Sequence, residues 1–169
     1  MKKFILGAAC LLGGLVLHAQ DVDFGVTAGY LNAEGKVKAE GVTFSGNESG
    51  FYIGAVADFT LTDEFHIQPE LVYASVDEAD AILVPIMAKY YIVDKFNLQA
   101  GPQFVFSLED TPEDISSVEF DLGAGLGYDI TENFFAEARY SFQINNSYTG
   151  SEDITVRGNY LTIGLGYTF

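Results

Sequence analysis

Five charged residues, Glu70, Lys89, Asp121, Glu137 and Arg139, have the types and the spacing to do chemistry. Each is flanked on both sides by apolar residues, as in Leu122 beside Asp121 or Ala138 between Glu137 and Arg139. In an extended chain successive side chains point to opposite faces, so each charge lies opposite an apolar wall. Asp58 and Glu119 share this placement nearer to segment ends. Charges confined to one enclosed face must pair, since removing a buried partner costs about 3–5 kcal/mol. Two uses fit such a set: a salt-bridged plug, or a gate and polar path for small solutes.

Other chemistries have weaker support. Gly123, Gly125 and Gly127 alternate within one extended run, whereas a dinucleotide fingerprint needs a turn and a helix opening at its glycines. They relieve crowding beside bulky neighbours such as Arg139. His66 stands alone once His18 is assigned to a leader, so neither a nucleophilic relay nor a histidine metal site is built around it. No cofactor, metal site or enzymatic activity is expected. The acidic groups Asp77, Glu78 and Asp80, then Glu109, Asp110, Glu113 and Asp114, then Glu152 and Asp153, offer oxygen ligands of the kind Ca²⁺ takes. None forms a spaced 12-residue loop, and a solvated, repulsive surface is the simpler reading.

The elements that must position these charges have a period of two. Tyr160 to Phe169 alternates large apolar residues (Leu161, Ile163, Leu165, Tyr167, Phe169) with Thr162, Gly164, Gly166 and Thr168. The same alternation runs over 22–30, 51–61, 65–74, 82–92, 96–106, 118–129 and 134–145, which gives eight strands. Three connections are tight: Thr62-Asp63-Glu64, Val93-Asp94-Lys95 and Thr131-Glu132-Asn133. They alternate with mostly longer, acidic ones at 32–50, 77–80, 109–117 and 146–156. All tight turns therefore fall at one end with the termini, and all acidic loops at the other. Lys36 and Lys38 are placed to pair with Glu34 and Glu40 as an extension of the first hairpin.

That asymmetry belongs to transmembrane barrels, with short periplasmic turns and longer external loops. One face carries aromatics near strand ends, suited to two interfacial girdles, while the other mixes glycine, hydroxyls and isolated charges. A soluble lipocalin-like binder would invert the faces. The expected fold is an eight-stranded antiparallel up-and-down transmembrane β-barrel, all-β, preceded by a signal peptide. Met1-Lys2-Lys3, a short apolar run to Leu17, and His18-Ala19-Gln20 read as that signal at 1–20, with the barrel domain at 21–169. Cys10, the one cysteine, then leaves with the leader, and the mature domain has no disulfide.

Removing Lys2 and Lys3 takes the formal net charge from -16 to -18, which disfavours nucleic-acid partners. With 14 Phe and 10 Tyr but only 19% charged residues, the expected partner is outer-membrane lipid.

Val84-Pro85-Ile86-Met87-Ala88-Lys89-Tyr90-Tyr91 and Leu98-Gln99-Ala100-Gly101-Pro102-Gln103-Phe104 resemble the signature of the PorT-like outer-membrane β-barrel family of Bacteroidetes. Phe65 to Tyr73, Phe135-Ala136-Glu137-Ala138-Arg139-Tyr140 and Gly164 to Phe169 are similar to further strands of that family. Thr168 departs from it, standing where a basic residue is common. The resemblance implies an outer-membrane location in Gram-negative cells, with turns and termini periplasmic and acidic loops external. A few members are tied to protein secretion; most have no assigned activity. It also implies that Tyr167 and Phe169 form the terminal signal read by the barrel-assembly machinery. A plain lipid-facing anchor at Phe169 is equally compatible.

Overall fold

The computed structural model describes residues 21–77 and 79–169. The signal peptide expected at 1–20, which includes Cys10 and His18, lies outside the described residues, as does Glu78. Eight strands follow in order: β1 (Asp21–Ala39), β2 (Val42–Thr60), β3 (Phe65–Val76), β4 (Ala79–Val93), β5 (Phe96–Ser107), β6 (Val118–Asp129), β7 (Phe134–Gln143) and β8 (Ile154–Thr168). Each pairs antiparallel with its sequence neighbour, and β8 pairs with β1 to close the barrel. Closure leaves no free edge around the wall, so the backbone groups of the strands are satisfied internally.

The period-two reading holds along the wall. Outward positions are large and apolar: Phe24 is 62% exposed, Ile53 55% and Leu165 59%. Inward positions are closed off, with Leu31 and Asp121 at 0%. Polar groups inside and apolar groups outside is the reverse of a soluble ligand-binding barrel, and that alternative is set aside. One outward aromatic departs from the expected girdle: Phe59 is covered, at 4% exposure.

Two loop expectations are corrected. The stretch 32–50 is not a loop: β1 and β2 continue past the wall to a turn at Glu40 and Gly41, whose φ angles are 51° and 82°. Two successive positive φ values mark the hairpin turn whose twist matches paired strands. The β-branched and aromatic residues of Val42-Thr43-Phe44 favour strand there. Similarly, β8 starts at Ile154 and runs alongside β1 to Ala39. A three-stranded sheet of β2, β1 and β8 therefore projects beyond the wall at the end bearing the acidic loops. Those loops, 108–117 and 144–153, are tied to each other by an Ile115–Tyr148 bridge.

Candidate functional site

The lumen is filled in two storeys. At the end with the tight turns, inward residues of β2, β3, β4, β5 and β7 form one connected polar network. Lys89 sits at its centre, donating from Nζ to Asp58 Oδ2 at 2.6 Å and to Gln68 Oε1 at 2.8 Å. His66 Nδ1 lies 2.7 Å from the other Asp58 oxygen. Gln68 Nε2 donates to Glu70 Oε1 at 2.7 Å and to Glu137 Oε1 at 3.1 Å. Arg139 then clamps both acids, with Nη2 2.6 Å from Glu70 and 2.5 Å from Glu137. Its Nε donates to Gln99 Oε1 at 2.6 Å, and Gln99 Nε2 returns a bond to Glu137 Oε1 at 2.8 Å. Asn97 closes the series, accepting from Gln99 at 3.0 Å.

Local sequence explains the arrangement. Arg139 is long, and its cross-strand partner on β6 is Gly125. A Cβ at residue 125 would lie 2.6 Å from the Arg139 Cγ, so glycine there makes room for the arginine stem to lie across the wall. Gly127 likewise makes room for the Asn97 and Gln99 amides, whereas a Cβ at Gly123 would meet nothing closer than 3.6 Å, so the expected crowding relief holds for two of the three glycines. Around Lys89, the rings of Tyr91 and Phe135 present their faces at 5.6 and 5.8 Å, which adds favourable cation–π contact.

The network brings together four of the five singled-out charges: Glu70, Lys89, Glu137 and Arg139. Asp121 is not among them, and that expectation is corrected. It pairs across to Gln143, whereas Gly125 pairs with Arg139. The four-residue offset along β6 is about 13 Å at strand rise. Asp121 instead accepts from Gln103 Nε2 at 3.0 Å, and Gln103 also reaches Ser141. Its second oxygen has no hydrogen-bond partner among the described residues.

Asp121 belongs to the upper storey, which is split. On one side Leu31, Tyr52, Val72, Ala74, Val76, Leu83 and Val105 form an apolar cluster. On the other are Gln103, Asp121, Ser141, Gln143 and the Glu119–Tyr160 hydroxyl bond at 2.8 Å.

Sequence reasoning missed the amides and underrated His66. Gln68, Asn97, Gln99 and Gln103 share the inward parity of the charges, and that parity was the available signal. Tyr167 and Phe169 lie as expected on the outer wall, where Tyr167 stacks edge-on against both Phe169 and Phe134. Among the described residues no group of three or more His, Cys, Asp or Glu is placed to hold a metal ion.

Residues 78–149, which span β4 to β7, match the family model described as outer membrane protein beta-barrel domain. The whole barrel superposes on solved structures. Ail, the attachment invasion locus protein of Yersinia pestis, crystallised with the heparin analogue sucrose octasulfate, is 17% identical with a TM-score of 0.51, covering 89% of this chain and 100% of that one. Neisserial surface protein A is 18% identical with a TM-score of 0.51 and coverage of 89% and 100%. The fold is that of an outer-membrane β-barrel. A de novo designed transmembrane β-barrel, 10% identical, matches with the same TM-score of 0.51 over 89% of this chain and 99% of the design. Likeness to a design at that identity says that strand number and closure carry the match. No curated protein matches the sequence.

Proposed function

We propose that this chain is a closed, non-enzymatic barrel of the outer membrane, whose lumen network is a plug and whose role is structural or partner-binding. The observation that carries this is burial at successive heights of the lumen. Asn97 and Gln68 near the turn end, Met87 midway, and Asp121 and Leu31 higher up are each less than 2% exposed. A continuous water path would wet inward side chains at every level. An eight-stranded barrel has an interior just wide enough for its side chains, and this one fills it.

The outward apolar wall meets acyl chains, the tight turns and both termini face the periplasm, and the acidic loops and projecting sheet face outside. The resemblance to the PorT-like family of Bacteroidetes supports this orientation and extends the reading to a secretion-related assembly role. The test is planar-bilayer conductance of the refolded barrel. Wild type is expected to be silent. Arg139→Ala, in a barrel that still shifts on heating in a gel, should open measurable current, because it removes the side chain that spans from β7 to Glu70 on β3. Steady wild-type conductance would replace the plug with a narrow solute path, and an unchanged Arg139→Ala would count against Arg139 as its key.

A further inference from the structure

The distribution of positive charge is uneven in a way that the plug does not explain. Of the eight Lys and Arg, Lys2 and Lys3 belong to the leader region. Lys89 and Arg139 are consumed inside the lumen, and Lys95 lies in the turn between β4 and β5. The remaining three, Lys36, Lys38 and Arg157, come together on the projecting sheet. Lys36 and Arg157 are direct cross-strand partners, and Lys38 follows two residues along the same face of β1. By strand parity all three share the outward face of Tyr30 and Leu161, which is the face turned to lipid lower down.

Like charges directly opposite in a sheet are destabilising. Glu34 offsets part of this, its carboxylate 2.8 Å from the Lys36 ammonium. Asn159 fixes the same carboxylate from β8 at 2.9 Å. Among the described residues no carboxylate lies within ion-pair distance of Lys38 or Arg157. Glu40, Glu152 and Asp153 stand at the far tip of the sheet. The face therefore carries three cations and one ion-paired carboxylate, Glu34, with Glu40 two residues beyond Lys38 and not ion-paired to it.

Its height is set by register. Glu34 pairs with Asn159, and Asn159 pairs with Phe142 on β7, an outward apolar residue. The Lys36–Arg157 rung is the next one outward on that face, and Ile144, also apolar and exposed, follows Phe142 on β7. The cations thus border the upper rim of the apolar wall, where lipid head groups begin.

We propose that Lys36, Lys38 and Arg157 form a docking face for a phosphate-bearing lipid head group at the outer rim of the barrel. The acyl chains would lie on Phe142 and Ile144 while phosphate enters between the facing Lys36 and Arg157. This rests on the membrane reading above, and the test separates the two. Barrel refolded in dodecylmaltoside is titrated with lipid A, and in parallel with dephosphorylated lipid A, and bound lipid is counted by native mass spectrometry. Phosphorylated lipid A is expected to bind roughly tenfold or more tightly than its dephosphorylated form. Lys36→Gln, Lys38→Gln and Arg157→Gln combined should abolish the difference, while Lys95→Gln keeps it. Millimolar inorganic phosphate should not displace the lipid; displacement would mark a general anion site and overturn the lipid assignment. Equal binding of the two lipids, or a triple variant that binds as wild type, would overturn the proposal. Gel heat-modifiability of each sample confirms the barrel. A chain that stays monodisperse without detergent would sink the membrane reading itself.

Discussion

Lys89 is the residue on which the lumen network turns, because it faces a carboxylate, an amide and two rings while only 3% exposed. A buried ammonium is tolerated when its counter-charge is fixed, and Asp58 is fixed in turn by His66. Three carboxylates, Asp58, Glu70 and Glu137, face two cations, Lys89 and Arg139, within hydrogen-bond reach of His66 and Gln68. Deleting one member leaves its partner buried and uncompensated. Lys89→Met and Asp58→Asn are each expected to cost about 3–5 kcal/mol. The double variant should cost clearly less than the sum, with a coupling of roughly 0.5–3 kcal/mol. Urea unfolding of the four proteins in one detergent measures this cycle. Strict additivity would mean that the two groups do not sense each other, whatever their 2.6 Å separation.

Among the elements, the β1–β2 hairpin differs most from a plain barrel strand pair, running 19 residues a side. Its turn depends on Gly41, whose φ of 82° penalises a side chain although the space around it is open. Gly41→Val is expected to cost about 1–2 kcal/mol of local stability. The strain should stay in the projecting sheet, since the wall is closed by separate pairing below it. Hydrogen exchange should therefore quicken over residues 36–45, with the global unfolding midpoint unmoved; a shifted midpoint would show that the hairpin is part of the cooperative barrel. This element also marks how far the sequence could be read. Outward apolar residues such as Ile53 and Leu165 declared their strands because lipid-facing positions must be apolar at every second residue. Beyond the wall that demand lapses, so Lys36, Lys38, Ser45 and Asn47 form strand while patterned like a loop. Inside the lumen, charge parity placed Glu70, Lys89, Glu137 and Arg139 on one face. It could not give their height, which depends on register between strands, and so it put Asp121, correctly inward, in the wrong group.

For the whole molecule, the wall is closed by the pairing of β8 with β1, and Phe169 adds one more backbone link to it. The backbone N–H of Phe169 donates to the Phe24 carbonyl at 2.9 Å, while its side chain is 76% exposed on the outer wall. Substitution by alanine keeps the backbone bond and removes only the ring. Two roles for that ring make different forecasts. An interfacial anchor contributes wherever the barrel sits in lipid or detergent, at most about 1.5–3 kcal/mol for a fully buried aromatic. A terminal signal for the assembly machinery acts only in the cell. Phe169→Ala is expected to lower the amount of heat-modifiable barrel in cell envelopes by tenfold or more. The same variant, refolded from urea into micelles, should unfold within about 1 kcal/mol of wild type, because Tyr167 still packs on Phe134 at a centroid distance of 4.9 Å. Comparable losses in both settings would assign the ring to anchoring alone. A loss confined to cells would show that the last residue is read before the barrel closes, when β8 is still free to be recognised as an unpaired strand.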